Sequence, residues 1–372
     1  MTSEALFESE ELARAFDAAV ASCTELTRAE ACHFVEHGHV LVKAAFPRSM
    51  ADFTCESAWT ELKANYGTER TDPETWDGVP RRQDWKPGHV RTQGSGARFL
   101  LKTHAPRAFA AQADVIGGAH RLPDDGDSLF WSDAAVGNLR VPDGPAWQPP
   151  AARQPGWHKD GHHFRHFLNS PEQGLLTVPI YTDILARSGG TFIACDSIAP
   201  VARLLARCPA GVHPDGTQAG YLVPGLIEQC SAFAELTGEA GDVVLVHPYM
   251  LHRVSVNPSN RPRIIANMPV VLAQPMCFAR PPGDAYSLVE LAVLRALNVP
   301  RFDFKQTRAP LRVQPLRFRD EKEATRQRRL VEREMKEMSR RGIVTPDWGK
   351  DYGYPSKTEA AEARTKGANG VN

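Results

Sequence analysis

The sequence predicts an α+β chain in which short strands build a closed or double-sheet β core and helices flank it. Three observations carry that prediction. Short strand-like runs recur between residues 132 and 273 with turn residues between them. Helical spacing of apolar residues falls before and after that region. The chain has 372 residues and is 42% hydrophobic, enough for a sizeable core.

From the start, Leu6, Phe7, Leu12, Phe16 and Val20 recur near helical spacing and predict a surface helix over 5–22. Thr27 and Glu30 form a capping-box pair ahead of a second helix, and Gly38 is placed to stop it. HVLVKAAF (39–46) reads as a strand, and 49–67 as another helix. Residues 68–92 are rich in Pro, Gly, Trp and charge and predict a long loop. With Trp76 and Trp85 it is either a candidate lid or a packed surface loop. SDAAVGNLRV (132–141) reads as a strand ending at Pro142-Asp143-Gly144, and a proline-rich stretch follows. GLLTVPIYTDI (174–184) and GGTFIACDSI (189–198) are strand-like, and VARLLARCPAG (201–211) is a short helix. Gly241-Asp242 turns into VVLVHPYMLH, RIIANMPVVLA (263–273) is a further strand, and YSLVELAVLRAL a helix packing back on the core.

No linker interrupts the chain before 320, so residues 1–319 are expected to form one domain. Its helical part spans 1–67 and its β core about 90–275. Residues 320–341 read as a solvated, charged helix with a narrow stripe of Leu330, Val331, Met335 and Met338, capped by Gly342. The remainder to 372 has the composition of a disordered tail.

Lysine plus arginine equals aspartate plus glutamate, 44 of each. That balance disfavours nucleic acid and anionic membrane surfaces as partners. Seven scattered cysteines without a CxxC fit reduced thiols in a cytoplasmic protein. The acidic start has no apolar h-region, and no apolar run approaches a membrane span.

The chemistry concentrates between residues 157 and 267. WHKDGHHF supplies a His-x-Asp, His158 and Asp160. Some ninety residues later come His252 and, eleven further on, Arg263. Two imidazoles and one carboxylate can hold one face of an octahedral Fe(II), leaving three positions for a co-substrate and dioxygen. An arginine is the residue type that clamps the far carboxylate of a 2-oxo acid with a planar fork. Two residues apart on a strand, His158 and Asp160 share one face, and Gly161 after them marks a bend. His252 joins them only if its strand pairs beside theirs, as in a jelly roll.

Competitors exist for each role. His162 and His166 are four apart, as on a metal-binding helix face, but no HExxH accompanies them. His247 lies within the apolar run, where a core histidine is expected, so His252 is the preferred ligand. Arg261 precedes a proline and suits a turn, whereas Arg263 opens the apolar run IIANM. A structural carboxylate is the other partner a buried Arg263 would accept.

WHKDG, SGGTFIACDS, GDVVLVHPYMLHRVSVN and NRPRIIAN resemble the phytanoyl-CoA dioxygenase family of Fe(II)/2-oxoglutarate oxygenases. HFVEHGHVLVKAAF is similar to that family's N-terminal segment, so the likeness spans roughly residues 28 to 273. The resemblance implies a double-stranded β-helix, a jelly-roll and cupin-like core. It implies His158, Asp160 and His252 as iron ligands, Arg263 as the salt-bridge partner of 2-oxoglutarate, and Asn138 as a second co-substrate contact. Val254 stands where many members have serine, with Ser255 following, and CDSI replaces their PGSH. The expected reaction is oxidation, foremost hydroxylation, of a small molecule with O2, releasing succinate and CO2. His162 and Phe164, just past the metal motif, are candidate substrate contacts. Two other readings remain: a metal-free β-helix binding or scaffold protein, and a cupin-type metalloenzyme that does not use 2-oxoglutarate.

Overall fold

The computed structural model describes residues 6–79, 88–124, 126–140, 144–161, 163–213, 225–281 and 283–312, with residues 333, 336 and 340 beyond them. In chain order it begins with α1 (Glu10–Ala21), α2 (Arg28–His37), β1 (His39–Val42) and α3 (Arg48–Tyr66). Then come β2 (His89–Arg91), β3 (Arg98–Leu100), α4 (Leu101–His104), α5 (Pro106–Ile116), β4 (Phe130–Ser132) and β5 (Val136–Asn138). β6 (Leu175–Pro179), β7 (Thr191–Ala194), α6 (Ile198–Ala206) and β8 (Phe233–Glu235) follow. The described elements close with β9 (Val243–Val246), β10 (Leu251–Val254), β11 (Arg263–Ile265), β12 (Met268–Val270) and α7 (Leu288–Leu297).

All described strand pairs are antiparallel. A four-stranded sheet runs β1-β9-β6-β12, and two three-stranded sheets run β10-β7-β8 and β11-β5-β2. β3 and β4 form a separate hairpin-like pair. An isolated bridge from Ile180 to Ile265 ties the end of β6 to β11.

Strand alternation explains how these sheets close on each other. Leu176 and Val178 of β6 and Val244 and Val246 of β9 point to one face of the four-stranded sheet. There they join Ile193 of β7, Val136 of β5 and Ile265 of β11 in one buried cluster. Their neighbours Leu175, Val243 and Leu245 face the other way, into the larger core shared with the helices. The β region is therefore a two-layered sandwich with a small apolar interior and a helical coat over one sheet. α7 lies within that coat, with every residue from Leu288 to Leu294 buried. Its capping carboxylate Glu290 is fully buried and accepts from both Arg121, at 2.9 Å, and Arg280, at 2.6 Å.

The predicted capping box of Thr27 and Glu30 is formed, and Gly38 ends α2 in the left-handed conformation. Other expectations need correction. The run 243–252 is not one strand: β9 and β10 belong to different sheets, divided by a turn. The run 263–273 breaks in the same way into β11 and β12. The strand over 39–46 stops at Val42, because Asp242 holds Lys43 and the Ala44 amide in a turn. The helix placed at 201–211 starts at Ile198 and ends at Ala206. β2, β3, β8, α4 and α5 form where no helix or strand is expected from the sequence. Trp76 is no lid residue: it is 1% exposed, packs on Trp59 and donates to the Glu69 carbonyl. Trp85 lies outside the described residues. So does most of the predicted C-terminal helix and tail, of which Arg333, Lys336 and Arg340 are helical and exposed. No described helix is long and apolar enough to cross a membrane. None of the seven cysteines is in a disulfide.

Candidate metal centre

His158, Asp160 and His252 converge, with one ligand atom from each lying within 4.8 Å of the others. Backbone pairing brings them together. His158 and His252 exchange both main-chain hydrogen bonds, at 3.0 and 2.9 Å, so their side chains share a face. The rings stand 4.4 Å apart between centroids. Asp160, two residues on, places one carboxylate oxygen 3.7 Å from His158 Nε2 and the other 3.7 Å from His252 Nε2.

The face they share is the interior of the sandwich. His252 is directly opposite Ile193 of the buried cluster, and cross-strand partners point the same way. The side chain of His252 is 7% exposed, against 27% for Asp160, so the centre opens on the Asp160 side.

Both imidazoles are oriented from behind. His158 Nδ1 donates to the Gly156 carbonyl at 2.8 Å, and His252 Nδ1 to the Met250 carbonyl at 3.1 Å. Each bond puts the proton on Nδ1 and turns the lone pair of Nε2 toward the carboxylate. His252 Nε2 is buried without a hydrogen-bond partner. A buried nitrogen without a hydrogen-bond partner, facing a carboxylate, is in the state expected of a metal donor. Two neutral nitrogens and one carboxylate suit a divalent transition metal such as Fe(II).

A clamp that the sequence reading missed holds the His158–Gly161 turn. The Lys159 ammonium is buried and donates to the Asp160 carbonyl and to His166 Nδ1, both at 3.0 Å. His166 Nε2 donates in turn to the Gly161 carbonyl at 2.7 Å. Burial pushes Lys159 down to about 7 and keeps His166 neutral. Gly161 has φ +117°, and a β-carbon there would overlap the His166 ring. His166 is thus a structural partner, paired in a bridge to Val212, and no helix forms around it. His162 lies outside the described residues. Phe164 is fully buried and stacked on His166, which leaves it no surface to offer a substrate. A lysine flanked by two ligands and a histidine seven residues on was the available signal.

His247 is not inside a strand but in the turn after β9. It is nevertheless the core histidine expected: its Nε2 contacts the Val289 carbonyl and its Nδ1 accepts from the Tyr249 amide. Burial pushes it down to about 3.

Arg263 and Asn138 are opposite one another on β11 and β5, on the face carrying Val136 and Ile265 of the interior cluster. Arg263 is 2% exposed. It donates from Nε to the Gly189 carbonyl at 2.9 Å and from Nη1 to the Val136 carbonyl at 3.3 Å. Burial, with Arg91 nearby, lowers it to about 9, so it stays charged at neutral pH. No carboxylate pairs with it among the described residues, so the structural-carboxylate alternative gains no partner. Asn138 spends its amide nitrogen on the Gly189 and Ser255 carbonyls, at 2.9 Å each, while its Oδ1 is buried without a partner. Gly189 has φ +86°, and a β-carbon there would press on Asn138 and Asn257. Arg261 is exposed.

No protein-family model and no curated protein sequence matches the chain. Among solved structures it is similar to SnoK, a non-heme alpha ketoglutarate dependent carbocyclase from nogalamycin biosynthesis. That match has 14% identity and TM-score 0.37, over 66% of this chain and 85% of the other. It is similar to the epimerase SnoN, solved with Fe3+, alpha ketoglutarate and nogalamycin RO, at 16% identity and TM-score 0.39, over 69% and 87%. It is also similar to EvdO2 from Micromonospora carbonacea var. aurantiaca, at 14% identity and TM-score 0.37, over 70% and 96%. Likenesses this low assign neither a reaction nor a substrate to the chain.

Proposed function

We propose that the protein is an Fe(II)- and 2-oxoglutarate-dependent oxygenase of the phytanoyl-CoA dioxygenase type, built on a double-stranded β-helix and acting on a small molecule. The observation that carries the reading is the converging triad, with His252 Nε2 buried and unpartnered at its centre. The unpaired cation of Arg263 on the same interior face supports a carboxylate-bearing co-substrate.

In this reading His158, Asp160 and His252 would hold the iron, which with 2-oxoglutarate and O2 would supply the oxidising power, with succinate and CO2 as by-products. The Gly156 and Met250 carbonyls fix both imidazoles so that the ligand geometry is set before metal arrives. Arg263 receives the distal carboxylate of the oxo acid, and Asn138 offers its free Oδ1 beside it. Ile193, Val136 and Ile265 keep water from that interior face. Asp160 fills the third protein position, which leaves no place for chloride and favours hydroxylation over halogenation.

The test is anaerobic loading of the purified chain with Fe(II), followed by succinate measurement with 2-oxoglutarate and O2. About one iron per chain and succinate that requires 2-oxoglutarate are expected. Bound metal without 2-oxoglutarate consumption would favour a cupin-type metalloenzyme, and no metal binding would favour a binding protein.

A further inference from the structure

The outer face of β10 carries a second arginine, and it too pairs with no acid among the described residues. Arg253 is opposite Phe192 while its neighbour His252 is opposite Ile193, so the two side chains leave β10 on opposite sides. The proline-rich segment before the metal motif roofs that outer face. Trp147 packs edge-on against Phe192, and Trp157 lies against Phe233. The roof is braced from within, since Gln154 bonds the Pro149 carbonyl and the Ala151 amide and Trp157 bonds the Ala151 carbonyl. Between roof and sheet is a groove of about 340 Å³, partly open to solvent and walled by Pro145, Ala146, Gln148, Gln154, Pro155, Phe192 and Val256 around Arg253.

Arg253 is only 4% exposed, and its Nε is buried without a partner. No acid pairs with it among the described residues. Glu235, the acid among the strand residues of this face, spends its two oxygens on the Arg187 and Gly190 amides. The Phe192 ring, with its centroid 5.9 Å from the guanidinium carbon, compensates part of the charge. A guanidinium does not neutralise itself by losing a proton, so a buried one calls for an anion. We infer that this groove is a second ligand site, which takes a small monocarboxylate with an apolar body and pairs its carboxylate with Arg253. One cation among mostly apolar walls, with two glutamines and no second cation in the lining, fits a single negative charge attached to a ring or short chain better than a phosphate dianion. The inference holds whether or not the triad binds iron.

Benzoate is a suitable probe, titrated into the full-length protein by ligand-observed NMR. Saturable binding is expected. Benzyl alcohol and inorganic phosphate should each bind about tenfold more weakly or worse. Arg253→Gln should weaken benzoate by about tenfold or more. Ala146→Trp, which fills the groove from its exposed roof, should abolish binding and decides the matter if Arg253→Gln does not fold. Excess 2-oxoglutarate should leave benzoate in place. Displacement by 2-oxoglutarate, wild-type affinity in either variant, phosphate binding as well as benzoate, or no saturable binding would each overturn the site.

Discussion

Arg263 and Asn138 stand directly opposite each other across β11 and β5, and both donate to the same carbonyl oxygen, that of Gly189. The guanidinium is therefore positioned by backbone oxygens, which orient it without neutralising it. Its charge remains available to a carboxylate that enters the interior.

That arrangement predicts a steep dependence on the fork shape. Arg263→Gln should raise the 2-oxoglutarate concentration needed for half-maximal succinate formation by about tenfold to a hundredfold, the worth of a charge-assisted pair. Arg263→Lys should recover part of this, because an ammonium keeps the charge but not the bidentate geometry. Arg261→Ala, at an exposed position, should change little. The opposite ranking of Arg261 and Arg263 would displace the assignment.

The two histidines of the 243–254 run should separate cleanly. His252→Ala is expected to lose iron and turnover while its far-UV circular dichroism stays that of the wild type. His247→Ala should instead lower thermal stability, since it empties a packed position behind Tyr249 and orphans the Val289 contact. Iron loss in the His247 variant and retention in the His252 variant would reverse their roles.

Asp160 bears on the type of oxidation. With its carboxylate between both imidazole nitrogens, the protein, if it is the proposed oxygenase, should yield no halogenated product in the presence of chloride. Asp160→Gly should bind iron more weakly and lose most oxidation, because one of the three protein donors is gone. Mass spectrometry of products formed with chloride present checks this. Chlorination by the unaltered protein would remove Asp160 from the metal.

Stability should fall on acidification for an identifiable reason. Burial pushes His247 down to about 3 and His39 to about 4, so both are neutral in the folded protein. Unfolded, each returns to about 6.5. Between those values the unfolded chain binds more protons, so the stabilisation is complete above about pH 6.5 and declines as pH drops through the window. The slope from one histidine is at most about 1.4 kcal/mol per pH unit. His247→Gln should flatten the melting temperature between pH 6.5 and 4; an unchanged slope would place the acid sensitivity elsewhere.

The sequence was most legible where chemistry demands particular residues. The convergence of His158, Asp160 and His252 was readable because these residue types are what one metal ion would need, and the burial of Arg263 because a charged residue opens an apolar run. The capping box before α2 is legible in the same way, and Ser287 with Glu290 forms a second one before α7. Strand breaks were not. VVLVHPYMLH and RIIANMPVVLA are mostly apolar, so hydropathy alone runs across the turns at His247 and after Ile265 that send each run into two sheets, although Pro248 and Asn267 stand at them. Lys159 escaped because a lysine beside two ligands reads as solvent-facing, and only the fold shows it sealed against His166. Phe164 looked like a pocket wall from its distance in sequence alone, and the stack on His166 closes it off.

The path from Val243 to Val254 has a thermodynamic consequence. β9 lies between β1 and β6 in the four-stranded sheet, and eight residues after its first member the same segment re-emerges as β10 in the opposite layer, carrying the candidate ligand His252. An ion that binds only the folded state adds RT ln(1 + [L]/Kd) to its stability. Here that gain cannot stay local to the rim, because loosening His252 pulls on a strand that two neighbours hold in the other layer. Metal occupancy would then raise the melting of both layers together as a single transition, and chelation would lower it as one.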